Sequence, residues 1–109
     1  MPRYESAALV ATREQGERLA AALGQQRLVL LRNHGIAVAG SSVQEAVFLA
    51  VSFDRSVRIQ LAAEQLGPVT PIDPAEARQM AAAFEASHAG RVEVTWQYLL
   101  RAAQRGRMA

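Results

Sequence analysis

The stretch Arg27-Leu28-Val29-Leu30-Leu31-Arg32-Asn33-His34-Gly35-Ile36-Ala37-Val38-Ala39-Gly40 decides how the rest of the chain is read. Four consecutive large aliphatics, Leu28 to Leu31, are the pattern of a short strand covered on both faces. The run stops at Arg32-Asn33-His34-Gly35, restarts over Ile36–Ala39 and stops again at Gly40. Asn and Gly are the residues that tolerate positive φ, so a tight turn or bulge is expected there, with Asn33 or Gly35 in that conformation. The two runs are either one broken strand or a hairpin.

Helical signals lie on both sides of this stretch. Upstream, Thr12 and Gln15 form a capping-box pattern, Gly16, Leu19, Ala20 and Leu23 share a helical face, and Gly24 suits the position after the last turn. Downstream, Ser42 and Glu45 repeat the capping-box pattern and open a long helix, with Val43, Ala46, Val47, Ala50, Phe53, Val57 and Leu61 on one stripe. Ala46–Val51 is apolar all round, which predicts burial of the first half on more than one side. Gly67-Pro68 ends that helix. Asp73-Pro74-Ala75-Glu76 carries three start signals for a third helix, which places Ala77, Met80, Ala81 and Phe84 inward and is expected to end near Gly90. A fourth begins at about Arg91 and aligns Val92, Trp96, Leu99, Leu100 and Ala103; the tail Arg105–Ala109 is expected to fray.

The reading is therefore α/β: two short strands and about four helices. Two strands with apolar faces do not make an independent sheet, so outside pairing is expected, through oligomerisation or the remainder of a larger sheet.

Length and composition bound the function classes. A chain of 109 residues has room for one modest core. With no cysteine, neither a disulfide framework nor a thiolate metal site is available. All 12 basic residues are Arg, dispersed and nearly balanced by 10 acids, so the pI of about 9.9 reflects arginine chemistry and no nucleic-acid partner is expected. No apolar run approaches a membrane span and the N-terminus lacks a signal-peptide layout, so no membrane partner and a cytoplasmic location are expected. No glycine-rich phosphate loop is present. Of the two histidines, His34 has no sequence neighbour at metal-ligand or triad spacing, and His88 is expected in the last turn of the third helix beside terminal carbonyls. Asp54, Glu64, Asp73, Glu76 and Glu85 fall on caps or wet helix faces. Trp96 belongs to an apolar stripe.

The segment LVLLRNHGIAVAGSSVQEAVFLAVSFDRSVRIQLAAEQLG, residues 28–67, resembles the class II aldolase/adducin family: an aliphatic strand, an Arg-x-His-Gly turn, a short strand, Gly, and a long helix containing Glu-Ala. The upstream EQGERLAAALG looks like the helix preceding that strand, and VTWQYLLR is similar to the terminal helix, so the likeness covers residues 2–105. It implies a part of a three-layer α/β/α sandwich, with residues 1–109 a single partial domain, the C-terminal portion of the family's domain. Enzymes of the family are lyases acting on small hydroxy-carbonyl or hydroxy-acid substrates by aldol cleavage or decarboxylation, an epimerase and a dehydratase; adducin carries the fold without known enzymatic activity. In the enzymes three histidines hold zinc or another divalent metal, two from a His-x-His pair and one from the Arg-x-His-Gly turn. The metal acts as a Lewis acid, and an upstream acidic residue as acid/base.

Only the turn histidine matches here, at His34. The His-x-His pair and the acidic residue have no counterpart, so the chain reads as a truncated family member, inactive alone and not expected to hold metal stably. The catalytic residues are thus not assigned. Arg32, beside His34, is the one arginine placed to meet an anionic small-molecule substrate. Family members are often homotetramers, so the expected partners are further copies or a complementing N-terminal polypeptide. The alternative is a non-catalytic oligomerisation module of adducin type.

Overall fold

The computed structural model describes residues 1–106. The elements run β1 (Arg3–Tyr4), α1 (Arg13–Leu23), β2 (Leu28–Leu31), β3 (Gly35–Val38), α2 (Val43–Leu66), α3 (Pro74–Ala86) and α4 (His88–Gln104). The fold is mixed α/β, as the hydrophobic patterning indicates. By contacts the chain divides into two compact units, residues 1–50 and 51–109.

The first unit is built on a three-stranded sheet in the order β1-β2-β3. Antiparallel pairing aligns Leu28 with Val38 and Leu31 with Gly35, so the two aliphatic runs form a hairpin. The third strand corrects the expectation of two. Arg3–Tyr4 pairs in parallel with Leu30–Leu31, and α1 is the crossover, packed on both strands. Two residues carry no periodicity, which is why β1 leaves no trace in the sequence pattern. Part of the pairing expected from outside is thus supplied by the chain's own N-terminus.

The caps follow from residue chemistry. Thr12 and Gln15 satisfy each other's backbone N–H groups, and Gly24 closes α1 with φ 57°. Among the described residues, Tyr4, Val29 and Phe48 are the buried apolar side chains. Val29 is fully enclosed, but Leu31 on the same face and Leu28 and Leu30 on the other are half-buried, so full cover is confined to Val29 and β2 is not covered on both faces as expected. In α2 the buried residues are Glu45 and Phe48, and the apolar Val43 at its start is 70% exposed.

The second unit contains the remainder of α2 and the helices α3 and α4, which pack on each other. Asp73 caps α3 by accepting from the N–H of Ala75 at 2.8 Å and of Glu76 at 3.4 Å, with Pro74 in the first turn. The third helix ends at Ala86, earlier than the expected Gly90. The Ser87 hydroxyl donates to the Phe84 carbonyl at 3.2 Å, competing with the helical ladder, and the chain restarts at once. His88 therefore opens α4 and does not close α3, and Gly90 lies inside α4. Neither α3 nor α4 has a buried residue; Met80, Phe84, Val57 and Leu61, read as inward-facing, are exposed, and the Phe84 ring has the Arg91 guanidinium over it at 4.8 Å from its centroid, a charged and only partial cover. Of the expected fraying tail, Arg105 and Gly106 follow the end of α4, and residues 107–109 lie outside the described residues.

Candidate functional site at the hairpin turn

The turn Arg32-Asn33-His34 joins β2 to β3. The N–H of His34 donates to the Leu31 carbonyl at 3.1 Å, and Asn33 has φ 64°, the positive value that a type II turn requires at its third position. Gly35, at φ 114°, then restores the ladder opposite Leu31. Both residues singled out for positive φ have it. The consequence is that Arg32 and His34 are displayed at a sheet end and not folded into the core.

His34 is exposed, and its Nε2 lies 2.7 Å from the carbonyl oxygen of Ala7. A carbonyl only accepts, so Nε2 carries the proton and donates, leaving Nδ1 as the ring's acceptor in the neutral form. Arg32 is fixed to β1 through its backbone, whose N–H donates to Tyr4 O at 3.1 Å, and its Nη1 makes a long contact of 3.4 Å with Glu5 O. The segment following β1 is thereby held against both residues of the turn. Beneath it lies a cavity of about 200 Å³ lined by Tyr4, Leu9, Val10, Leu19 and Leu31, with His34 at its wall.

The second feature is Glu45. It is 8% exposed, and its carboxylate accepts from the Ser41 N–H, from the Ser41 hydroxyl at 2.7 Å and from Arg27 Nη1 at 3.1 Å. Ser42 caps α2 by accepting from the Glu45 N–H at 3.1 Å. One carboxylate thus ties the start of β2, the loop after β3 and the first turn of α2. Its capping-box spacing marked it as a helix start; its burial and its partner 18 positions upstream carried no local signal. The remaining carboxylates behave as read: Asp54 pairs with Arg58 at 2.8 Å, Glu64 accepts from Gln60 at 2.8 Å, and Asp73 caps. Asp54 raises the pKa of Arg58, first through its hydrogen bond and then through its charge.

A protein-held divalent metal needs about three ligands. Among the described residues no group of three or more His, Asp or Glu side chains is placed to hold one. His34 is a single donor with its Nε2 engaged by Ala7, so this chain's residues do not by themselves fit the metal.

The sequence matches the family described as Class II Aldolase and Adducin N-terminal domain over residues 2–61, which include β1 through most of α2 and the whole hairpin turn. The chain belongs to the class II aldolase/adducin family. Its relatives include the 3,4-dihydroxyphthalate decarboxylase of Terrabacter sp. (strain DBF63), 38% identical over 76 residues that make up 70% of this chain and 32% of that protein. The enzyme of the same name from Arthrobacter keyseri is 32% identical over 98 residues, 86% of this chain and 40% of its own. The Meiotically up-regulated gene 14 protein of Schizosaccharomyces pombe is 37% identical over 68 residues, 60% of this chain and 26% of its own. The chain thus spans roughly a third of the length of the curated relatives it matches. No helix among the described residues is long and apolar enough to cross a membrane.

Proposed function

We propose that this chain is part of a class II aldolase/adducin-family lyase whose complete form decarboxylates, or cleaves by retro-aldol chemistry, a small hydroxy-acid or hydroxy-carbonyl substrate. The observation that carries this is the hairpin turn, which displays His34 and Arg32 at a sheet end within the segment matched to the family. Relatives named as 3,4-dihydroxyphthalate decarboxylases support decarboxylation as the reaction. In this reading His34 is one ligand of a divalent metal, zinc first, and the other ligands and the acid/base residue come from outside the chain. Ligation through Nε2 requires the Ala7 carbonyl to be released, whereas ligation through Nδ1 does not. Arg32 meets an anionic group of the substrate.

The test is complementation. The chain is mixed with an N-terminal polypeptide of the family that carries His-x-His, and zinc content and CO2 release from 3,4-dihydroxyphthalate are measured. The expected result is one zinc per complex, with turnover that His34→Ala and chelators both abolish. Turnover that survives both treatments refutes the metal role.

A second reading, a non-catalytic oligomerisation module, is favoured by a specific observation. Met80, Phe84, Val94, Tyr98 and Leu100 on α3 and α4 are all exposed, and apolar side chains displayed in that number along two helices are the raw material of an interface. Sedimentation of the chain alone checks it: a stable metal-free tetramer supports the module, and a monomer at high concentration removes it.

A further inference from the structure

We propose that Arg3 and Arg32 together form a clamp for a small dicarboxylate with a flat apolar body. This rests on the reading of Arg32 as a substrate contact and adds a second residue and a ligand class. The parallel register sets Arg3 opposite Leu30, and side chains alternate along each strand. Arg3, Leu30 and Arg32 therefore share one face of the sheet, opposite the face of the buried Tyr4. Strand spacing and rise put the Arg3 and Arg32 Cβ atoms roughly 8 Å apart on adjacent strands, within converging reach of two guanidiniums.

Both arginines line one groove of about 580 Å³, with Leu30 and Leu31 also in its walls. Neither forms an ion pair with a carboxylate among the described residues, and the single side-chain contact of Arg32 is the long one to the Glu5 carbonyl. Two guanidiniums facing one open space repel each other, and an anion between them relieves that repulsion. Each guanidinium offers a planar fork that matches one carboxylate. The half-buried Leu30 beside the forks offers apolar surface to a ring whose two neighbouring carboxylates each meet one guanidinium. The Glu5 side chain lines the same groove and reduces its net charge to that of one arginine.

The clamp is tested on the full chain, in excess chelator and without turnover, by titrating phthalate while following the arginine Nε–Hε signals. Saturable shifts at Arg3 and Arg32 are expected, with affinity falling roughly tenfold or more in Arg3→Gln and in Arg32→Gln, since each loses a charge-assisted bidentate contact. Glu5→Gln is expected to tighten binding. Benzamide, without charge, is expected to leave the signals in place. Both arginines are exposed, so the substitutions leave the fold intact, which the backbone amide spectrum verifies. Equal affinity in wild type and both variants overturns the clamp. So does inorganic phosphate binding as tightly as phthalate, because two-point spacing and the apolar floor would then select nothing. The titration involves neither His34 nor metal, so its failure leaves the lyase reading standing, and a failed zinc test leaves the clamp standing.

Discussion

Replacing Glu45 by Gln keeps the shape of the side chain and removes its charge. In the wild type the donors on this nearly buried carboxylate include the Ser41 N–H, the Ser41 hydroxyl and Arg27. An amide in its place turns an NH2 group toward donors on one side and offers a weaker acceptor on the other. Hydrogen bonds to a charged group contribute about 1.5–3 kcal/mol, against about 1 for neutral ones. The Arg27 side chain is 48% exposed, so its share is reduced by solvent screening to about 0–1 kcal/mol. The net cost of Glu45→Gln is then about 1–2 kcal/mol, falling mainly on the Ser41 contacts. Glu45→Ala costs about 2–4 kcal/mol because it also leaves the partly buried Ser41 N–H without its acceptor. For a unit of this size, Glu45→Gln lowers the thermal midpoint by roughly 5–15 °C. The assay is thermal melting by far-UV circular dichroism, with amide exchange at Val29 and Leu30 reporting the first unit specifically. The expected order of cost is Glu45→Ala, then Glu45→Gln, then Arg27→Gln. A midpoint unchanged in Glu45→Gln, or an Arg27→Gln cost exceeding that of Glu45→Ala, refutes the assignment of the tie to the loop.

Gly40→Ala is expected to destabilise the same corner by about 1–3 kcal/mol, because the added Cβ would lie 2.8 Å from the Ala46 backbone nitrogen, which cannot give way as a side chain would; chemical denaturation measures it. Val29→Ala, at a fully enclosed apolar side chain, is expected to cost about 2 kcal/mol in the same measurement. Asp73→Ala removes the cap of α3 and is expected to cost about 1 kcal/mol, seen as faster amide exchange at Ala75 and Glu76. Asp54→Asn is expected to leave the melting midpoint unchanged near neutral pH. The Asp54–Arg58 pair is solvent-exposed, so its contribution is screened to little; the raised guanidinium pKa means that this little is present in full near neutral pH and lost only at strongly alkaline pH, so the absence of an effect holds across the neutral range.

How much was legible varies by residue, and for a physical reason. Thr12 with Gln15, and Asp73 with Ala75 and Glu76, are interactions within one helical turn, so their spacing in the chain is their spacing in space. The turn at Asn33 and Gly35 was legible because positive φ restricts residue type. The α3–α4 boundary was misplaced because a glycine was taken as the break, whereas a serine hydroxyl made it. The inward stripe of α3 and the second half of that of α2 were read correctly as apolar and wrongly as covered, whereas Val92, Trp96 and Leu99 of the α4 stripe are half-buried; periodicity reports what a face is made of and not what lies against it.

From the sequence alone came the mixed α/β class, the helix caps, the turn at His34 and the likeness to a family that the match over residues 2–61 bears out. These depend on conformational preferences and on neighbours within about one turn of chain. Only the tertiary structure decided that Arg3–Tyr4 is a strand, that the two aliphatic runs are a hairpin, that Ala7 accepts from His34, and that Arg3 and Arg32 share a groove. The contacts that β1 and the segment after it make with β2 and the turn join residues some 27 positions apart. They exist because the α1 crossover returns the chain beside β1 in one register, and a shift of one residue would turn Arg3 to the opposite face.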